Sequence, residues 1–371
     1  MRSLLLGCLM LCLAAPVAAE ARRDVPQGFY GTVLDGDELR AAPAATQEAI
    51  FKQMAESGVE SVRVGFYWSE AQPEPGGPIS FAFTDQIVAG AVAHGIDVVP
   101  VVIYAPAWAR TDPAVGSTPP TDNALYANYM RALIQRYGSS GTFWNERPEI
   151  PRRPLLHWQV WNEAHLRYQW TADNWERGYG ALLKVAAATV HTTDRRAKVV
   201  LAGFTNLSWK EIDSLYRKGD AKGNFDVVAL HPFTASPAGV VEVIERVRAV
   251  LKKRGDAKLP IWVTELTWPA TDGRIKVPAA LRTVGTNDRG MATRLARSYD
   301  LLAAERRRLG VDRVHWYTWA SDYRDFTFHF SGLFRYDRMT LALTATPGYR
   351  EYVRSARRHE GCAKSSAGRC R

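Results

Sequence analysis

Two spacings of apolar positions alternate along residues 28–320. Short runs dense in β-branched and aromatic residues read as buried strands: GFYGTVL (28–34), SVRVGFYW (61–68), DVVPVVIY (97–104), LLHWQVW (155–161), KVVLAGF (198–204), DVVALHPF (226–233), PIWVTEL (260–266) and RVHWYTWA (313–320). Between them lie stretches with helical periodicity over 46–58, 123–138, 174–193, 240–255 and 290–310, several closed by a glycine that stops the helix. Strand and helix alternating about eight times is the requirement of an α/β chain closing as a single (β/α)8 TIM barrel, placed here over residues 20–352. An open doubly wound sheet would want a glycine-rich turn after an early strand, and none is found. No internal repeat, low-complexity block or interdomain linker interrupts the pattern. The loops that follow the strands, such as 69–83 and 105–122, are long and rich in Pro, Gly and Trp. Active sites of this barrel sit on that face.

Composition changes the picture at the two ends. With 371 residues, 46% of them hydrophobic, the chain has ample material for a large core. Residues 1–19, MRSLLLGCLMLCLAAPVAA, carry one arginine, an apolar run and small residues at a cleavage-like site, so they read as a signal peptide and imply a secreted or periplasmic protein. A lipid anchor at Cys8 is disfavoured by how few residues precede it. Only Cys362 and Cys370 remain after cleavage, and an exported compartment permits a disulfide between them. The formal charge of +10 is unevenly placed, since residues 353–371 hold six Lys/Arg against Glu360, a net of five. That basic tail is expected to be a solvated end rather than a nucleic-acid arm, a candidate for weak electrostatic association with an anionic envelope. The expected oligomeric state is a monomer.

Candidate chemistry gathers where the strand runs end. Arg63 lies on the second strand, Trp108 follows the third, Asn162 and Glu163 end the fourth, His231 the sixth, Glu265 the seventh, and Trp316 and Trp319 the eighth. Any one of these is more often a satisfied structural residue, but so many strand ends pointing to one rim is a stronger signal. Glu163 and Glu265 are 102 residues apart, so only a barrel mouth pairs them. Two carboxyl groups flanking one space are what glycoside hydrolysis needs, one to protonate the leaving oxygen and one to attack or to activate water. The eight histidines show no strand-end set that would hold a metal, and no cofactor is called for. A non-catalytic glycan-binding barrel remains the alternative; it would keep the aromatic residues but could dispense with one glutamate.

The ordered set of Asn-Glu at 162–163, Thr-Glu-Leu at 264–266, Arg63 in VRVGFYW and an aromatic eighth strand resembles the clan A retaining glycoside hydrolases. GVESVRVGFYWSEAQPEPGG followed by HGIDVVPVVIYAPAWA is similar to glycoside hydrolase family 39 and to its neighbours in families 5 and 42. The β-sandwich that many family 39 members append is not expected within these 371 residues, because the barrel takes up nearly all of them. The resemblance implies a carbohydrate substrate, Glu163 as general acid/base and Glu265 as nucleophile. It further implies that Asn162 holds a sugar hydroxyl, that His231 and Arg63 fix and ionise the nucleophile, and that an eighth-strand aromatic floors the cleavage subsite.

Overall fold

Eight parallel strands carry the architecture: β1 (Tyr30–Leu34), β2 (Ser61–Tyr67), β3 (Asp97–Ile103), β4 (His157–Val160), β5 in two parts (Lys198–Val200 and Phe204–Thr205), β6 (Val228–His231), β7 (Ile261–Leu266) and β8 (Val311–Trp316). The helices that follow them are α1 (Ala44–Glu56), α2 (Ala82–Ala93), α3 (Asn123–Tyr137), α4 (Trp175–Thr193), α5 (Ser208–Lys218), α6 (Pro237–Arg254), α7 (Asp288–Leu309) and α8 (Pro347–His359). These elements come from a computed structural model that describes residues 23–35, 39 and 42–360. The expected signal at 1–19 and the pair Cys362 and Cys370 lie outside the described residues.

Each strand pairs in parallel with its sequence neighbours, β1 with both β2 and β8. The ring closes at β5, whose first part pairs with β4 and second with β6, with a bridge from Val200 to Val227 between them. The fold is therefore the expected α/β barrel. Its strands are buried almost throughout, because side chains on one face fill the barrel and those on the other meet the helices. Helix ends follow local chemistry. Asp122, Ser236, Asn287 and Thr346 each accept a backbone N–H at a helix start, while Gly255 and Gly310 end α6 and α7 with left-handed backbone.

The C-terminal boundary differs from expectation. Helix α8 runs through residue 353, with Tyr352, Ala356 and His359 buried, and the Tyr30 hydroxyl meets His359 Nδ1 at 2.6 Å. The apolar positions 349, 352 and 356 fall on one face at helical spacing, and the arginines around them disguise it in the sequence. After β8, a small sheet of Ala320–Ser321, Phe334–Tyr336 and Leu343–Ala345 frames a loop that reaches the barrel mouth.

Candidate active site

The strand ends meet in a cavity of about 730 Å³ whose lining includes Asp35, Arg63, Asn162, Glu163, Glu265 and Tyr317. Arg63 is its electrostatic centre. Its Nη1 donates to Glu265 Oε1, its Nη2 to Asn162 Oδ1 and its Nε to Gln159 Oε1, each at 2.7 Å. Strand β2 delivers the guanidinium into the barrel, and the three acceptors arrive from β4, its following turn and β7. The fan of planar donors matches three separately placed oxygens, a spread that the compact ammonium of a lysine does not reproduce.

Glu163 is placed by an unusual backbone. Trp161 and Glu163 both have left-handed φ, at 65° and 44°, on either side of Asn162. The kink is pinned where Trp161 N donates to Val102 O at 3.0 Å, Glu163 N donates to Ala202 O at 2.8 Å, and Trp161 Nε1 donates to Gln169 O at 2.8 Å. Left-handed conformations at non-glycine residues cost about 1–3 kcal/mol each and concentrate at functional sites. Here they turn two consecutive side chains, Asn162 and Glu163, onto the cavity.

Glu163 is 6% exposed and Glu265 is 9% exposed. Burial pushes the Glu163 carboxyl up to about 7, opposed by the Arg63 charge and by a hydrogen bond from the Tyr168 hydroxyl. His231 Nδ1 lies 2.7 Å from Glu163 Oε1, whereas its Nε2 is 3.6 Å from Glu265 Oε1. Burial lowers His231 to about 3, so the ring is neutral and donates from Nδ1 when Glu163 is ionised. The hydrogen bond thus goes to Glu163, not to Glu265 as the resemblance implied. Gly203, in the break within β5, makes the ring's position available: a Cβ there would come within 2.4 Å of His231 Nε2, and its φ of +74° suits glycine.

The aromatic residues are distributed differently from the expectation. Trp316 is buried, packs near Trp268 with ring centres 6.4 Å apart and donates from Nε1 to Ser331 O at 3.0 Å. Trp319 is buried against Phe334 and Tyr349. Trp108 stands edge-on to Trp68 and donates to Gln72 O at 3.0 Å, bracing a loop. These three rings are absent from the cavity lining, which Tyr67, Tyr104, Tyr168, Phe233, Tyr317 and Phe328 supply instead. Tyr67 and Tyr104 stack with centres 5.6 Å apart, and Phe328 packs on Phe233 at 4.8 Å. Tyr317 immediately follows Trp316, so the side chains of the pair part company, one into the wall and one into the mouth. Asp35 and Gln159 were also missed. Asp35 ends the first strand run and was open to the rule that found the others; Gln159 sits inside an apolar run that gave no hint of its partner.

Glu163, His231 and Glu265 each offer a ligand atom within 4.8 Å of the other two, a donor set of the kind a metal could use. The arrangement is nevertheless already compensated. Glu265 Oε1 holds Arg63 at 2.7 Å, so a dication bound to that oxygen would face a guanidinium one hydrogen bond away.

No family model and no curated protein sequence matches the chain. Solved structures do match. A family 39 glycoside hydrolase from Bacteroides cellulosilyticus WH2 aligns with a TM-score of 0.65 and 21% identity over 90% of this chain and 64% of its own. A glucosidase from Croceicoccus marinus gives 0.62 and 13% over 89% and 67%. An intracellular xylanase from Thermoanaerobacterium saccharolyticum gives 0.57 and 19% over 89% and 96%. The chain has the barrel fold of these glycosidases and spans just under two thirds of the family 39 protein's length.

Proposed function

We propose that the protein is a retaining glycoside hydrolase that cleaves a β-linked bond in an oligo- or polysaccharide by double displacement. The observation that carries this is the carboxyl pair. Oxygens of Glu163 and Glu265 lie within 4.8 Å across one cavity. Retaining enzymes hold their carboxyl groups roughly 5–5.5 Å apart, whereas inverting enzymes leave roughly 6.5–9.5 Å for a water.

The environments divide the labour. Glu163, raised to about 7, is protonated in a large fraction of molecules near neutrality and serves as the acid. Arg63 occupies Oε1 of Glu265, leaving Oε2 to attack the anomeric carbon. In the first step that bond forms as the bond to the leaving oxygen breaks and Glu163 gives up its proton. In the second step Glu163 takes a proton from water, the water oxygen attacks the anomeric carbon, and Glu265 departs as a carboxylate. Asn162, oriented by Arg63, is positioned to meet a sugar hydroxyl, and Tyr317 with Tyr104 provides ring faces for the sugar's CH groups.

The reading extends to a monomeric protein exported under residues 1–19, its basic C-terminus able to touch an anionic envelope. It needs no metal. Activity on a panel of aryl β-glycosides and polysaccharides, with NMR of the first anomer released, tests the proposal. Net retention, unaffected by chelator, is expected. Release of the opposite anomer, or activity that disappears on chelation and returns with a divalent metal, would overturn it.

A further inference from the structure

A second cavity, of about 310 Å³, adjoins the first and shares Tyr104 and Tyr168 with it; Ser69, Arg110, Gly116 and Ser117 complete its lining. Its walls are fixed. Arg110 forms an antiparallel bridge with Pro120, and Thr121 N donates to Ala109 O at 2.8 Å. The loop is tied to the one after β4 through Ser117 and Thr171, whose hydroxyls are 2.5 Å apart, and by Thr171 N donating to Ser117 O at 3.2 Å.

Arg110 is the cation of this cavity, and its Nε is buried without a hydrogen-bond partner. Among the described residues, no carboxylate forms an ion pair with it. A planar guanidinium left unpaired in a half-buried wall is matched by an anion with two oxygens, carboxylate or sulfate, that can take both prongs of the fork. Gly116 lies beside the guanidinium, where even an added Cβ would make only ordinary contact with Arg110 Nη1, at 3.4 Å.

The main cavity has the opposite character. Asp35, Glu163 and Glu265 line it, while Arg63 has already committed all three of its nitrogens to Gln159, Glu265 and Asn162. Among the described residues that line it, Arg63 is the one cation, so no free positive charge faces an anionic sugar there. The two cavities meet at Tyr104 and Tyr168, which line the main cavity together with Glu163, the group that protonates the leaving oxygen in the glycosidase reading. A leaving portion seated beside Glu163 therefore lies next to Tyr168 and the second cavity.

We propose, resting on the glycosidase reading, that the second cavity is a subsite for an anionic substituent on the leaving-group side of the scissile bond, held by Arg110. The substrate class is then an acidic glycan in which an uncharged sugar occupies the cleavage position and a carboxylated or sulfated sugar follows it.

The test uses the full-length exported protein carrying Glu265→Gln, which preserves a partner for Arg63 and stops turnover. Its binding is read on an array of neutral, uronate-bearing and sulfated β-linked oligosaccharides. The expected result is retention of acidic members at least tenfold above neutral ones, with the uronate and sulfate arms identifying the anion. Adding Arg110→Gln should remove that preference, and adding Arg131→Gln, a change on the exposed face of α3, should not. Arg110→Lys, which keeps charge but loses the fork, should retain part of the preference and covers the case in which Arg110→Gln does not fold. Binding of neutral glycans alone, or acid preference that survives Arg110→Gln or falls equally with Arg131→Gln, would overturn the subsite while leaving the glycosidase reading intact. If no glycan is retained and the wild-type protein hydrolyses none, both fall together.

Discussion

Replacing Tyr168 by Phe removes one hydroxyl and retains the ring, and its consequence can be worked out from Glu163. The hydroxyl favours the ionised carboxylate, so it pulls the Glu163 pKa down against the upward push of burial that leaves it at about 7. A hydrogen bond to a buried charge is worth about 1.5–3 kcal/mol, and one pKa unit is about 1.4 kcal/mol, which would give a shift of roughly 1–2 units. Tyr168 is 67% exposed, however, and water replaces much of what the hydroxyl supplied, so about half of that survives. Tyr168→Phe should therefore raise the basic limb of the kcat/KM profile by about 0.5–1 unit. The assay is initial rates from acid to alkaline pH on a glycoside with a poor leaving group, for which protonation is obligatory. An activated aryl glycoside, which barely needs the acid, should show a smaller movement of the same limb. A limb that stays in place, or that moves to lower pH, would refute the assignment of Tyr168 and Glu163 to this hydrogen bond.

Three further outcomes follow from the same geometry. Because the folded Glu163 pKa is raised from 4.5 to about 7, its favourable contribution is complete below 4.5 and is lost as pH climbs through 7; Glu163→Gln should gain up to about 3 kcal/mol in urea unfolding at pH 8 and nothing at pH 4. Arg63→Met strands the Glu265 carboxylate and should cost about 3–5 kcal/mol of stability together with turnover, both measurable on one preparation; a neutral effect on melting would contradict the buried-pair account. Deleting residues 353–371 should abolish folding, since it takes Ala356 and His359 from beneath the barrel, whereas deleting 361–371 should preserve the circular-dichroism melt and the turnover.

What the sequence made legible and what it hid divide along a physical line. The barrel was readable because strand runs and amphipathic helices have different periods, and Glu163 and Glu265 stood out because a carboxylate at the end of an apolar run has few structural uses. The aromatic assignments failed for the complementary reason. Barrel strands are buried on both faces, so the period of two that separates inward from outward is not written in polarity, and Trp316, Tyr317 and Trp319 look alike until the strand end is built. The choice of His231 between two carboxylates depends on a ring packed against Gly203, a tertiary contact with no local signature. Gln159 was concealed similarly, as a polar residue in an apolar run whose partner lies on β2.

In the proposed mechanism Glu265 attacks and Glu163 handles the proton. The most direct measurement is azide rescue of the two alanine variants on an activated aryl glycoside, with the configuration of the product read by NMR. Glu265→Ala should be inactive and, with azide standing in for the nucleophile, should yield a glycosyl azide of inverted configuration. Glu163→Ala should still form the glycosyl-enzyme rapidly and then stall, and azide should relieve the stall with retained configuration. Reversed stereochemistry between the two variants would swap the roles, and wild-type turnover in both would contradict the account.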